Sequence, residues 1–188
     1  IPLGAEFTVI SGFGAEPAAG MFNGLPEGAR FMAGGHAFMF RYRAGANGNA
    51  VTLTAGPTFV WDGGGSGNVW GTGANWAGDL APPPGSDLVF PAGVSKLGTI
   101  NAFDPGTSFR SLTFTGPSYV VVGNSFRLTR GIYNDVASGD TTISADFVAS
   151  GNFTNRVSGA SRLLLDGAAT GNPSWRKIGT GTLRFAGA

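Results

Sequence analysis

The sequence contains no cysteine, one histidine and few charged residues. Of its 188 residues 12% are charged, and the formal net charge is +1. A chain without cysteine forms no disulfide and offers no thiolate to a metal. Nucleic-acid binding needs a concentrated basic stripe, whereas the densest basic cluster here, Arg41-Tyr42-Arg43, carries two charges. These absences argue against a disulfide scaffold, a thiolate metal site and a nucleic-acid-binding surface.

Long apolar runs and helical patterns are also lacking. The longest apolar runs, such as YVVVG at 119–123, are far shorter than the roughly 20 residues that span a bilayer. Glycine or proline interrupts nearly every window that could form an amphipathic helix. The chain opens on Ile-Pro-Leu-Gly without a start methionine or signal peptide. We therefore expect a mature or excised part of a longer protein, with no membrane insertion by this segment.

The sequence is instead rich in glycine and in short apolar runs. It has 33 glycines and 11 prolines, yet 42% of its residues are hydrophobic, fifteen of them Phe. Such a chain buries enough apolar surface to offset the conformational entropy of ordering. Short runs bounded by turn residues predict strands: EFTVI (6–10), HAFMFRYR (36–43), AVTLT (50–54), DLVF (87–90), SLTF (111–114), YVVV (119–122), FRLT (126–129), TISADFVA (142–149), RLLL (162–165) and TLRF (182–185). The sequence predicts an all-β protein.

The spacing of apolar residues in the second half favours a β-solenoid. Successive central residues lie 16, 19, 17 and 19 positions apart; they are Leu112, Leu128, Phe147, Leu164 and Leu183. A near-constant step of this size predicts stacked coils, each laying a short strand on the previous one. We expect all five side chains in one core. A β-sandwich, with strands about 8 to 12 residues apart, stays open as the alternative because YVVV falls at that interval.

The composition changes near TAGPTF (54–59), which suggests a domain boundary. A strand-rich unit precedes this segment, and a tryptophan-rich stretch follows it. Pro57 cannot donate a ladder hydrogen bond and marks a natural break between strands. We predict a smaller N-terminal β-unit over residues 1–56 and a solenoid unit over residues 57–188.

Several motifs resemble those of large bacterial surface proteins built from autotransporter-type β-helical repeats. Residues 1–54 read EFTVI, GMFNGLPEGARF (20–31) and FMFRYRAGANGNAVTLT (38–54), and are similar to the closing segment of such a repeat region, with GLPEGA the most specific match. Residues 59–188 resemble the opening of the next unit, with Trp61, Trp70, Asn75-Trp76 and an ending, KIGTGTLRFAGA (177–188), similar to the passenger-associated transport repeat. The resemblance implies a secreted β-helical structural protein at the bacterial cell surface.

One turn departs from the family pattern. The family sequence G-G-x-G-N-D resembles a calcium-binding turn, in which the Asp carboxylate is a hard oxygen ligand. Here the turn runs from Ala44 to Ala50, and Ala50 occupies the Asp position. No carboxylate remains in the turn, so we predict no calcium there and no other metal or cofactor.

Catalytic patterns are weak. His36 follows two glycines at the start of a predicted strand, and no cysteine exists to pair with it. The nearest acidic pair on one predicted coil is Asp140 and Asp146. Along an extended strand they would be about 20 Å apart, too far for the paired carboxylates of a glycosidase. We therefore predict a protein that is not an enzyme.

Three tryptophans lie in the stretch FVWDGGGSGNVWGTGANWAGDLAPPPGSDLVF (59–90). Trp61, Trp70 and Trp76 could stack on sugars, which would make the chain a carbohydrate-binding module with surface glycans as partners. They could equally cover the first coil, because each aromatic ring buries about 150 to 250 Å² and the first coil has no predecessor. We favour closure of the core and keep glycan contact as the alternative function.

The two ends of the sequence predict strands with free edges. IPLGAEFTVI contains Phe7, Val9 and Ile10, and TGTLRFAGA contains Leu183 and Phe185. Unpaired strand edges are sites of strand addition. We expect a segment of a surface adhesin or fibre that associates head to tail with copies of itself or lies within a covalent array of repeats.

Overall fold

A computed structural model describes residues 5–11, 20–23, 25, 27, 30–33, 36–45, 48–56 and 58–187. For residues 30–33, 36, 37 and 55 it describes the backbone. Over these residues the strands are β1 (Glu6–Ile10), β2 (Arg30–Ala33), β3 (His36–Ala44), β4 (Ala50–Ala55), β5 (Thr58–Val60), β6 (Asp87–Phe90), β7 (Gly98–Asn101), β8 (Thr107–Phe114), β9 (Val120–Gly123), β10 (Phe126–Asn134), β11 (Ser138–Ile143), β12 (Phe147–Ala149), β13 (Asn152–Val157), β14 (Ala160–Leu165), β15 (Ala169–Gly171), β16 (Ser174–Ile178) and β17 (Thr182–Phe185). One turn of 3-10 helix spans Gly73–Asn75.

The protein is all-β, and the solenoid is confirmed. The chain divides into two compact units, Ile1–Thr58 and Phe59–Ala188, where the sequence analysis placed the boundary between residues 56 and 57. In the described part of the chain no helix is long and apolar enough to cross a membrane.

The first unit contains an antiparallel sheet with the strand order β1-β4-β3-β2. Phe40, Tyr42 and Val51 are buried on it, and Ile10, Leu25 and Leu53 pack against them. His36 opens β3; its side chain lies outside the described part of the structure.

Tyr42 explains part of the GLPEGA motif. The register of β3 on β4 shifts between Arg41 and Ala44, and the Tyr42 N–H donates to the Glu27 carboxylate at 2.7 Å. The Tyr42 hydroxyl donates to the Leu25 carbonyl at 2.7 Å and accepts from the Phe22 N–H at 2.9 Å. Glu27 and Leu25 therefore anchor the GLPEGA segment to the sheet. They do so at a bulge in β3, where the Tyr42 N–H bonds to Glu27. Gly24, Pro26, Gly28 and Ala29 lie outside the described residues.

The second unit is a solenoid of about four turns with parallel strand pairing. One sheet has the order β15-β12-β10-β8-β6-β5, with β13 pairing β10 and β16; the other has the order β17-β14-β11-β9-β7. Phe126 pairs with Phe147, and Phe147 pairs with Ala169, so these coils take 21 and 22 residues. Side chains that alternate inward from both sheets form one continuous apolar core.

Strand β10 pairs with two strands of the next coil, and Gly131 permits the close approach of the backbones. Its first half pairs with β12 and its second half with β13, with Gly131 next to Thr154. A Cβ atom at Gly131 would lie 1.9 Å from the Thr154 carbonyl oxygen. Any larger residue at position 131 would therefore push the two coils apart.

The predicted coil register was wrong at Leu164. Leu112, Leu128 and Phe147 are fully buried, and Leu183 packs half-buried against the same core. Leu164 points outward, and its neighbours Leu163 and Leu165 fill the core instead. Strand residues alternate between faces, and a run of three leucines does not reveal which ones face inward.

The predicted step of 16 to 19 residues was also too short, because it compared residues that are not paired with each other in neighbouring coils. Leu112 stacks on Leu88 and Ile132, whereas Leu128 stacks on Phe109 and Ala149. The predicted strand 142–149 is two strands, because the chain turns at Ser144–Asp146 between β11 and β12.

Candidate functional site at the two ends of the solenoid

The tryptophan stretch closes one end of the solenoid. Trp61, Trp70 and Trp76 are all 0% exposed. The ring of Trp76 meets Trp61 edge-on at 5.2 Å and Trp70 edge-on at 6.5 Å between centroids. This arrangement agrees with closure of the core. In the described structure no face of these rings is free to stack on a sugar, so the glycan-contact interpretation of the three residues is wrong.

Trp70 reaches furthest into the core. Its ring contacts Phe90 at 5.7 Å, Phe109 at 5.7 Å and Phe126 at 5.9 Å. These three rings belong to β6, β8 and β10, which follow one another along the sheet. One side chain therefore binds the closing segment to three successive coils.

The closing segment also covers the backbone edges of the first coil. The Trp61 N–H donates to the Val89 carbonyl at 2.8 Å beside β6, and the Trp70 N–H donates to the Ile100 carbonyl at 2.9 Å beside β7. Strands β6 and β7 of the first coil thus each have a hydrogen-bonded neighbour. Exposed strand edges template association, and this end of the solenoid is protected.

Asn75 organises the closing segment from its buried position. Its Oδ1 accepts from the Gly65 N–H at 3.0 Å, and its Nδ2 donates to the Val69 carbonyl at 3.0 Å. Its backbone carbonyl accepts from the N–H groups of Asp62 and Gly63. The Asn-Trp pair of the sequence motif is therefore a structural unit, in which Asn75 shapes the loop that Trp76 anchors.

We expect Asn75→Asp to lower the free energy of unfolding by about 1–3 kcal/mol, because a buried carbonyl loses its donor and a carboxylate is desolvated beside it. Urea unfolding followed by tryptophan fluorescence measures this. Asn172→Asp, at an exposed position, is the matched control and should change the stability by less than about 0.5 kcal/mol. Equal stability of the two variants would contradict the role assigned to Asn75.

Lys96 connects the closing segment to the loop between β6 and β7. Its carbonyl accepts from the Trp61 indole N–H at 3.0 Å. Its ammonium donates to the Gly65 carbonyl, and to the Gly67 carbonyl at 3.2 Å. Tyr119 contacts the same loop between β6 and β7. Its hydroxyl donates to the Pro91 carbonyl at 2.7 Å, and burial raises the pKa of Tyr119 to about 12.

At the other end of the described solenoid two aromatic rings are partly exposed. Its last coil consists of β15, β16 and β17, and each is the final strand of its row in the described structure. Trp175 packs edge-on against Phe153 at 4.9 Å and against Phe185 at 5.6 Å, yet Trp175 remains 41% exposed and Phe185 52% exposed. These two rings lie on the last layer of the core, and sequence reasoning missed Trp175.

The residues predicted for self-association lie on strands that end the described sheets of the two units. In the first unit β1 is an edge strand, where Phe7 is 41% and Val9 46% exposed, while Ile10 packs on the core. In the second unit Leu183 is half-buried and Phe185 is exposed on β17.

Three aspartates of the solenoid connect neighbouring coils. The Arg156 guanidinium donates to Asp135, with Nε 2.6 Å from Oδ1. Arg162 donates in the same way to Asp140, which lowers the pKa of that carboxyl. Asp146 lies in the turn after β11, not on one strand with Asp140, and accepts from the Ala168 N–H at 2.8 Å. These carboxylates are engaged in contacts that hold the coils together.

Metal ligands do not converge in the described residues, where no three His, Asp or Glu side chains are grouped as a cation site. In the turn considered for calcium, Ala46 and Asn47 lie outside the described residues, and Ala50 is buried at the start of β4. Independence from calcium stays a prediction.

Comparisons of the chain with protein-family models, with curated proteins and with solved structures returned no match.

Proposed function

We propose that this chain is a structural segment of a secreted bacterial surface adhesin or fibre. In this function the solenoid is not an enzyme but a rigid element, and its copies associate end to end at the bacterial cell surface. The observation that carries the proposal is the contrast between the two ends of the described solenoid: three buried tryptophans seal one, and at the other Trp175 and Phe185 are partly exposed.

The free strand edges support head-to-tail association. A solenoid whose last coil is uncovered exposes unpaired backbone groups and apolar side chains, and both favour strand addition. β17 presents Phe185 and Arg184, and β1 presents Phe7 and Glu6, so the two edges are complementary in charge as well as in apolar character. A contact between two different edges that does not close into a ring produces a filament.

We expect the molar mass of the intact chain to rise with concentration in light scattering, and deletion of residues 1–10 to abolish that rise. Two point variants make the test sharper. Phe7→Lys and Phe185→Lys should each block one edge, since an edge lysine opposes strand addition. Each variant alone should be monomeric.

An equimolar mixture of these variants distinguishes a head-to-tail contact. Each variant keeps one intact edge, so the mixture should form dimers and stop there, because both outer edges of the dimer are blocked. Circular dichroism of each variant checks that the fold is retained. The proposed self-association is wrong if the intact chain stays monomeric at every concentration, or if the mixed variants do not pair.

A further inference from the structure

One outer face of the solenoid carries an arginine in each of four successive coils. Arg110 lies on β8, Arg130 on β10, Arg156 on β13 and Arg176 on β16, and these strands follow one another in one sheet. Neighbouring strands of a sheet lie about 4.8 Å apart, so an arginine recurs at about that interval along the solenoid axis. We call this row the arginine stripe; it runs along the wall of the solenoid.

Two arginines of the stripe are held by carboxylates of the solenoid itself. The Arg110 Nε lies 3.6 Å from the Asp87 Oδ2, and the Arg156 guanidinium donates to Asp135. Arg156 also lies over the ring of Tyr133, with 5.0 Å between its Cζ and the ring centroid, a favourable cation–π contact. The stripe therefore contains side chains whose positions are fixed by partners within the wall.

The middle coil adds two cations that these carboxylates do not balance. Arg127 faces outward on β10, because its neighbours Phe126 and Leu128 fill the core. Arg130 lies in a bulge, where the register of β10 on β8 shifts between Leu128 and Gly131. Both arginines are exposed, and within the described part of the chain the ion pairs of the solenoid include neither of them. Two guanidinium groups are thus available to an anion from outside.

Small residues separate the two sides of this face. Ser111, Gly131 and Thr154 stand in register in three successive coils. Arg130 precedes this row along β10, and Tyr133 follows it two residues later. Because serine, glycine and threonine project little from the backbone, the row forms the floor of a shallow groove between longer side chains. The groove runs along the solenoid axis.

The exposed aspartates near this sheet lie at its edge. Asp104, Asp146 and Asp166 occupy the turns that lead into β8, β12 and β15. Asp146 is already engaged with the Ala168 N–H. The middle of the face therefore presents guanidinium and hydroxyl groups, which attract an anion and donate hydrogen bonds to it.

We infer that the arginine stripe is a binding surface for a linear polysaccharide with a carboxylate on its sugars. Guanidinium groups match planar carboxylates bidentately, and the hydroxyls of Thr113 and Thr154, half-buried on the same face, suit sugar hydroxyls. The groove follows the axis, so its ligand is an extended chain. A nucleic-acid strand carries one charge per about 3.4 Å, which is denser than one arginine per coil with two of four already paired.

This inference goes beyond the proposed function because it assigns a ligand to the wall of the solenoid. It needs no association between copies of the chain. It is also independent of Trp61, Trp70 and Trp76, which are buried in the core and were the residues considered for sugar stacking from the sequence.

The test is a calorimetric titration of the intact chain with hexameric oligogalacturonate and, as the uncharged control, with its methyl ester. We expect the acid to bind at least tenfold more tightly than the ester. Binding should weaken as sodium chloride is added, because salt screens exposed charges. In amide NMR spectra the oligogalacturonate should shift the signals of Tyr133 and Thr154 and leave those of Thr142 and Leu164, on the other sheet, unchanged.

Paired substitutions locate the site. Arg127→Gln with Arg130→Gln should weaken binding of the oligogalacturonate at least tenfold. Arg162→Gln with Arg184→Gln removes two charges from the other sheet, where both arginines are exposed, and should change the affinity less than twofold. Circular dichroism checks that both double variants keep the fold.

The inference is overturned if the acid and the ester bind equally, if the two double variants weaken binding alike, or if nothing binds at millimolar concentration. Duplex DNA that binds more tightly than the oligogalacturonate would also overturn it and assign the stripe to nucleic acid. The proposed function is tested separately: a monomeric chain that binds the acid leaves this inference standing, and a filament that binds no acid overturns this inference alone.

Discussion

Leu165→Asp is expected to unfold the solenoid, whereas Leu164→Asp, one residue earlier in the same strand, is expected to leave it folded. Leu165 is 0% exposed and stacks between Ile143 and Phe185 in the core. An unpaired carboxylate at this position would cost several kcal/mol, a large part of the roughly 5–15 kcal/mol that stabilises a typical domain.

Leu164 is the matched control because it has the same residue type, strand and neighbours in sequence. Its side chain lies half-buried on the outer face, between Thr142 and Arg184 in register. We expect Leu164→Asp to change the free energy of unfolding by less than about 1 kcal/mol. Far-UV circular dichroism and urea titration measure both variants. A folded Leu165→Asp protein, or an unfolded Leu164→Asp protein, would show that the inward register of β14 is wrong.

Trp70→Ala is expected to lower the free energy of unfolding of the solenoid by about 3–5 kcal/mol, the usual range for removing a buried large aromatic side chain. Trp70 packs on Trp76 and on phenylalanines of three successive coils, so its removal leaves a cavity that no single neighbour can fill. The backbone edges of β6 and β7 would then lose part of their cover.

Trp175→Ala provides the comparison in the partly exposed last coil. Trp175 is 41% exposed, and we expect its removal to cost about 1 kcal/mol. Hydrogen exchange of the β6 and β7 amides adds a local measurement, because Trp70→Ala should accelerate it and Trp175→Ala should not. Similar losses of stability in the two variants would contradict the assignment of Trp70 to the sealed end and of Trp175 to the partly exposed last coil.

The strands of this protein were largely predictable because each carries its own local signal. EFTVI, DLVF and TLRF coincide with β1, β6 and β17. In these runs β-branched and aromatic residues are bounded by turn residues, and this pattern depends on a few neighbouring positions. Strands with weaker patterns were missed, among them β13 (NFTNRV), with the buried polar residue Asn155, and β16 (SWRKI), with three charged or polar residues.

The sequence alone determined the all-β class, the stacked coils and the use of three tryptophans to close the core, because composition and alternation are local properties of the chain. Tertiary structure decided which leucines of 163–165 face inward, how long each coil is, and that Asn155 pairs with Lys177. Those features depend on parallel pairing between residues about 20 positions apart, such as Asn155 and Lys177. A shift of one residue in that pairing exchanges the two faces of a strand, and only the packed neighbour fixes it.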